Sequence, residues 1–242
     1  MPSCLIVQHV APEGPYAFGG ALEAAGVSIE RCRVFAGDAV PGDVSGLAGV
    51  IVMGGPMSAT SDEGFATRSE EVALLASALA GRLPVLGVCL GAQLLALAAG
   101  GEVFAGPAGQ EIGWSPITFS DEAASDGLVG GLGSSIEVLH WHGDTFSLPA
   151  DTVLLASSER YENQAFRAGE RAWGLQFHLE VDALAVEAFL SAFGAEADAP
   201  GISSASIAAD TPRALGALAP IRERVAHRFA AVVSSVAEAR RR

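Results

Sequence analysis

Four short strand-like runs, Leu5–His9, Ile29–Val34, Leu47–Met53 and Leu83–Val88, alternate with three helical stretches, Phe18–Gly26, Glu70–Ala80 and Leu90–Ala99. Strand and helix alternating at this spacing predict βαβ units, and so a parallel sheet covered by helices. Right-handed crossovers place the carboxyl ends of those strands on one edge, where open α/β folds put their ligands. Gly54-Gly55-Pro56 and Cys89 each follow a strand directly and should share that edge. From Gly113 to Phe177 the pattern shifts to shorter β-like pieces: Trp114–Phe119, Ile136–Trp141, Val153–Ser157, Ala165–Arg167 and Trp173–Phe177. Turn residues between them point to an antiparallel extension of the same domain. The expected fold is therefore α/β, a mostly parallel central sheet flanked by helices with a small antiparallel β extension, over residues 1–193. Val181–Phe193 returns to helical spacing. Gly194–Pro212, rich in Ala, Ser, Asp, Pro and Gly, reads as a surface loop, and a helix is expected from Arg213 or Pro220 to Arg240. On this reading residues 194–242 form a loop and a C-terminal helix that packs on the same domain.

With 242 residues, 50% of them hydrophobic, the chain can bury a good core. A formal net charge of -14 disfavours nucleic acid and anionic membrane surfaces as partners. The terminal Arg240-Arg241-Arg242 suits the negative end of a helix dipole better than a nucleic-acid contact. Cys4, Cys32 and Cys89 form no CxxC pair, as in a reducing compartment. Met1–Val10 has no positive leader and no segment is apolar for long enough to span a bilayer, so a cytoplasmic location is expected. Cys4 and Cys32 lie in apolar surroundings and read as core residues.

Cys89 sits in Leu86-Gly87-Val88-Cys89-Leu90-Gly91-Ala92-Gln93, between an apolar run and a helix, with a glycine two residues away on each side. This is the pattern of a nucleophile elbow, in which the following helix aims its N-terminal N–H groups at the reacting atom. A thiol placed there should be partly ionised by the helix dipole and a nearby imidazolium. A buried free cysteine on a Gly-rich turn is the plain alternative. A nucleophilic thiol needs a base and the base an orienting group. Gly174-Leu175-Gln176-Phe177-His178-Leu179-Glu180 offers both, because alternate residues of an extended chain point the same way. Taken singly, His178 is a polar residue at a strand end and Glu180 an acidic neighbour of the next helix. With Cys89 they make three chemical groups that each follow an apolar strand. The loop at Gly54-Gly55-Pro56-Met57 allows close backbone approach, and an N–H from it with that of Leu90 would suit an oxyanion. By itself Gly-Gly-Pro is also an ordinary tight turn. It is not a phosphate loop.

Together these segments resemble the class I, triad-type glutamine amidotransferases over nearly all of residues 1–193. The resemblance continues through Gln110-Glu111-Ile112-Gly113-Trp114, His140-Trp141-His142-Gly143-Asp144-Thr145-Phe146 and Asn163-Gln164-Ala165-Phe166-Arg167. It is nearest to the stand-alone proteins related to the glutaminase part of GMP synthetase. It implies a flavodoxin-like domain in which Cys89 attacks the side-chain amide of glutamine, His178 is the acid/base and Glu180 its orienter. Gly55 and Leu90 would supply the oxyanion N–H groups. Gln93 and the backbone around Trp141, Gly143 and Asp144 would hold the amino-acid end of the substrate, with Met57 at the pocket wall. Leu179 stands where the family usually has proline, which removes a fixed φ beside Glu180.

The substrate implied is glutamine or a γ-glutamyl small molecule, and an ammonia-accepting synthetase subunit is an implied partner. No Ser-Gly-Gly-x-Asp-Ser loop occurs in the chain, so it is not the synthetase by itself. A stand-alone γ-glutamyl hydrolase or peptidase, a catalytically silent binding subunit and a redox or glyoxalase-like protein remain as other readings. His140 and His142 alternate on a strand as metal ligands can, but no third Cys or His follows at a suitable spacing. No metal and no cofactor is expected, and His9 and His227 show no constellation.

Overall fold

The computed structural model describes residues 2–149, 151–197 and 203–241. Its strands are β1 (Ser3–Gln8), β2 (Ser28–Arg33), β3 (Leu47–Val52), β4 (Val85–Val88), β5 (Val103–Ala105), β6 (Glu111–Phe119), β7 (Ser135–His142), β8 (Asp144–Phe146), β9 (Thr152–Ser157), β10 (Ala165–Ala168) and β11 (Ala172–Leu175). The helices are α1 (Tyr16–Ala24), α2 (Arg68–Ala80), α3 (Leu90–Ala98), α4 (Ala183–Ala197) and α5 (Ser204–Ala239). Nine strands form one sheet in the order β2-β1-β3-β4-β11-β10-β9-β6-β7. Its centre, β2 to β11, is parallel, and β10, β9, β6 and β7 continue it with antiparallel pairing. A separate ribbon pairs β5 with β8.

Strands β1, β3 and β4 are buried along their whole length, which explains why they read as unbroken apolar runs rather than alternating ones. Successive residues feed opposite faces. Ile6, Ile51 and Met53 join Phe18, Leu22, Phe229 and Val233 in one core, whereas Leu5, Val50 and Val52 join Leu74, Leu75 and Leu94 in the other. Thus α1 and α5 cover one face of the parallel centre while α2 and α3 cover the other. A third cluster, including Leu139, Trp141, Val186, Phe189 and Ile207, ties α4 and the start of α5 to β7.

The expected loop over 194–212 is corrected where it is described. Helix α4 runs on to Ala197, and α5 begins at Ser204 and passes through both Pro212 and Pro220. Ser203 caps α5: its hydroxyl accepts from Ser206 N at 3.1 Å, and Ser206 Oγ accepts from Ser203 N at 3.3 Å. Prolines inside a helix each remove one backbone bond, so the segment is held by tertiary contacts. Trp114 Nε1 donates to Thr211 Oγ1 at 3.0 Å, and Arg213 grips Glu137 through two bonds of 2.7 and 3.0 Å. Residues 198–202 of the expected loop lie outside the described residues.

Candidate active site

The carboxyl ends of the parallel strands bring the sequence-distant segments together in one cleft of about 300 Å³. Glu13, Gly55, Met57, Cys89, Leu90, Gln93, Trp141, Gly143, Asp144 and His178 all line it. Cys89 sits between β4 and α3 with φ 51° and ψ -108°, a left-handed conformation that a residue with a side chain rarely adopts. Its amide donates to Leu175 O at 2.8 Å, which fixes the turn against β11. The flanking glycines are required by packing. A Cβ on Gly87 would lie 2.3 Å from Gly91 O, and one on Gly91 would lie 2.0 Å from Val52 O. Helix α3 therefore starts in backbone contact with β3 and β4, its first N–H groups beside the thiol.

His178 leaves its strand with its amide bound to Leu139 O at 2.8 Å. Its Nδ1 lies 2.8 Å from Glu180 Oε1, and Phe189 packs edge-on at 4.9 Å between ring centroids. Burial alone would depress the imidazole, but the Glu180 carboxylate and the Cys89 sulfur hold it well above the ordinary histidine value. The thiol is pushed up by burial and drawn back down by His178. The expectation of a partly ionised thiol is thus opposed by desolvation. Glu180 instead favours the protonated form of the imidazole. Nε2 of His178 has no complete hydrogen bond among the described residues. Leu179, at the position of the missing proline, is buried in the core between the two functional side chains.

The neighbouring groups are tied to one another. Gln93 Nε2 donates to Gln176 Oε1 at 3.1 Å and to Asp144 O at 3.4 Å, so its amide nitrogen is engaged within the protein. Ser58 Oγ donates to an Asp144 carboxylate oxygen at 2.6 Å. The Cys89 thiol points toward Trp141 O at 3.6 Å, and Trp141 Nε1 donates to Glu196 at 3.3 Å.

Two groups escaped the sequence reading. His9 is buried with Nε2 2.7 Å from Glu71 Oε2 and Nδ1 2.9 Å from Gly54 O, so it buttresses the Gly-Gly-Pro loop. No spacing signals a partner this distant in sequence. Glu13 is buried against the same loop: a Cβ on Gly54 would lie 1.8 Å from Glu13 Oε2 and 3.2 Å from His178 Cε1. Its signal was present, since it follows β1 at the same edge that gave Cys89. Burial pushes its carboxyl up to about 7, with His178 opposing and Glu180 adding to the rise. Beneath the cleft, pairing of β6 with β7 brings Glu111 to His140 and His142, supplying the third donor that His and Cys spacing could not show. Glu111 Oε2 lies 3.1 Å from His142 Nε2 and also accepts from Gln164 Nε2 at 2.7 Å and Ser158 Oγ at 3.1 Å. That carboxylate is the hub of a polar strut under the strand end that carries Trp141 and Asp144.

A doubly covered parallel sheet with an elbow cysteine facing a histidine-carboxylate pair defines an α/β protein equipped for thiol chemistry at its strand ends. The particular family follows from comparison: residues 21–190 match the class-I glutamine amidotransferase model, and the chain belongs to that family. It is 35% identical over 200 residues to a glutamine amidotransferase-like protein of Salmonella typhimurium, covering 81% of this chain and 83% of that one. It is 38% identical over 152 residues to the glutamine-hydrolysing GMP synthase of Porphyromonas gingivalis, covering 62% of this chain but only 28% of that protein. Among solved structures, a glutamine amidotransferase of Methylobacillus flagellatus superposes with TM-score 0.86 at 33% identity, over 96% of this chain and 94% of that one. One from Thermotoga maritima superposes with TM-score 0.84 at 28% identity, over 95% and 98%. No helix among the described residues is long and apolar enough to cross a membrane.

Proposed function

We propose that this protein hydrolyses the γ-amide of glutamine through a cysteinyl γ-glutamyl thioester. The supporting observation is Cys89 held at positive φ on the start of α3, facing a His178 whose far nitrogen is fixed by Glu180. In the reaction His178 Nε2 takes the thiol proton as Sγ attacks the γ-carbonyl carbon. The negative oxygen that forms is met by the N–H groups of Gly55 and Leu90. When the tetrahedral centre collapses the C–N bond breaks, His178 passes its proton to the departing nitrogen, and ammonia leaves. Water, deprotonated by His178, then attacks the thioester, and glutamate departs as Cys89 regains its proton. Gln93 and the backbone around Trp141, Gly143 and Asp144 hold the amino-acid end and Met57 closes the wall. The chemistry requires neither metal nor cofactor. Ammonia passes to an acceptor enzyme in a cytoplasmic setting.

The test is ammonia release from glutamine together with labelling by an electrophilic glutamine analogue. Mass spectrometry should find one adduct, on Cys89, and Cys89→Ala should abolish both adduct and turnover. Burial raises the thiols of Cys4 and Cys32, so neither should react. An adduct mainly on Cys4 or Cys32 overturns the assignment.

A further inference from the structure

The departing nitrogen takes its proton from His178, so the leaving group must lie on the His178 side of the cleft. The walls there are unusual in charge. Glu13 and Glu196 line the cleft together with Trp141, Phe193 and Phe189, which packs on the His178 ring, and among the described residues no Lys or Arg lines it at all. Glu13 is the more telling of the two acids. It is 5% exposed, and its Oε2 has no hydrogen-bond partner in the protein. A buried carboxylate ordinarily has a cation or several donors, and here Glu13 Oε2 and the edge of the His178 ring both crowd Gly54, lying 1.8 and 3.2 Å from where a Cβ there would sit. Glu196 stands at the rim, exposed, and accepts from Trp141 Nε1. The two acids sense each other, since the charge of Glu196 contributes to holding the Glu13 carboxyl up. Aromatic faces between carboxylates are the usual surroundings of an organic ammonium. Space agrees with charge, because the cleft of about 300 Å³ exceeds what glutamine alone fills and matches the lower end of small-molecule sites.

We infer that the leaving-group side of this cleft binds an ammonium group, so that among γ-glutamyl amides larger than glutamine it favours those of amines carrying a second, positively charged nitrogen. This rests on the γ-glutamyl amide hydrolysis proposed above and names its substrate class. Glu13 pairs with the distal ammonium near the His178 ring, and Glu196 guides it at the entrance. The bond broken is still the γ-carbonyl C–N bond, the products are glutamate and the free diamine, and the proton on the released nitrogen comes from His178. An anionic leaving group would meet the two carboxylates, Glu13 and Glu196, and no Lys or Arg among the described residues.

Three matched probes test it with the whole protein: N-(γ-glutamyl)-1,4-diaminobutane, its neutral counterpart γ-glutamyl-n-butylamide, and the anionic γ-glutamyl-4-aminobutanoate. The expected kcat/KM for the cationic conjugate exceeds the neutral one by at least about tenfold, with the anionic conjugate slowest. In Glu13→Gln the cationic-to-neutral ratio falls toward one, and in Glu196→Gln it falls by a smaller factor. A merely structural loss would lower all three substrates together and leave the ratio intact, and that result overturns the inference. So does a wild-type protein that turns over the cationic and neutral conjugates equally. Binding to Cys89→Ala, followed by calorimetry, separates this inference from the reading beneath it. If no γ-glutamyl amide, glutamine included, is hydrolysed by the wild type, the hydrolase reading fails. Ammonium recognition then stands if Cys89→Ala binds the cationic conjugate at least about tenfold more tightly than the neutral one, and falls if it does not.

Discussion

His178 has two neighbours with separable duties, and substitution can tell them apart. In the proposed mechanism it transfers protons, a role that contributes on the order of 10²–10⁴-fold, so His178→Asn should lower kcat by that range while thermal unfolding shows the fold retained. Glu180 lies 2.8 Å from Nδ1 and stabilises the charged ring. Glu180→Gln keeps a hydrogen-bonding group at that place and loses only the charge, so its kcat should fall less than that of His178→Asn. An equal or greater fall would give Glu180 a part beyond orienting the ring. Glu13 predicts a pH effect on stability of opposite sense to that of an ordinary paired carboxylate. In the unfolded chain it ionises near 4.5 and in the folded protein near 7. Between these values the folded state holds the extra proton, so the contribution to stability is complete below pH 4.5 and is lost as pH rises through 7. At about 1.4 kcal/mol per pH unit the loss is on the order of 3 kcal/mol. Glu13→Gln removes this slope: relative to wild type it should gain stability from pH 4.5 to pH 8 in denaturant titrations. A difference between the two proteins that stays constant across that range would mean that Glu13 is ionised in the fold as it is in water.

At the scale of elements, the elbow is set by contacts between main chains rather than by side-chain chemistry. Gly91→Ala would drive a methyl to 2.0 Å from Val52 O, and backbone cannot step aside as a flexible side chain can. Helix α3 must shift off β3, carrying Leu90 N–H and the Cys89 thiol with it. The expected outcome is a loss of several kcal/mol of stability, and a kcat reduced beyond what a stability change alone explains, measured well below the melting temperature. Retained kcat would show that α3 can start elsewhere without moving the thiol. These elements were legible in the sequence because each local signal agreed with its tertiary role. The runs Leu47–Met53 and Leu83–Val88 are apolar because β3 and β4 are buried on both faces, and the glycines after them mark the close approaches. The order Cys89, then His178 and Glu180, was legible because strand ends converge on one edge. Helix α5 was not, because Pro212 and Pro220 carry a local signal against helix that only distant partners override, Trp114 and Glu137 among them. His9 and Glu111 were obscured for a related reason. Their partners come from pairings and loops that no spacing along the chain records.

For the molecule as a whole, α5 links the long-range packing to the chemistry. Its Phe229 is fully buried and meets Phe18 of α1 at 6.5 Å and Trp173 of β11 at 6.4 Å between ring centroids, so it joins a helix and the sheet on one face. Nearer the start of the same helix Arg222 donates to Val181 O at 2.6 Å, immediately after Glu180 in the chain. The segment that presents the carboxylate to His178 is therefore held partly by a helix that begins at Ser204, outside the residues matched by the family model. Phe229→Ala should cost about 3–5 kcal/mol, the usual range for a fully buried aromatic. Phe35→Ala, at an exposed phenylalanine, should stay within about 0.5 kcal/mol of wild type. Arg222→Met, which keeps the aliphatic stem but removes the donor, should spare most of the stability and lower kcat, with a larger effect on kcat than on KM. Denaturant unfolding and steady-state kinetics on the three variants decide the matter. If Phe229→Ala loses less than about 1 kcal/mol, α5 is an appendage to a domain that stands without it. If Arg222→Met leaves kcat unchanged, the carboxylate is held by its own strand and the core residue Leu179, with no help from the C-terminal helix.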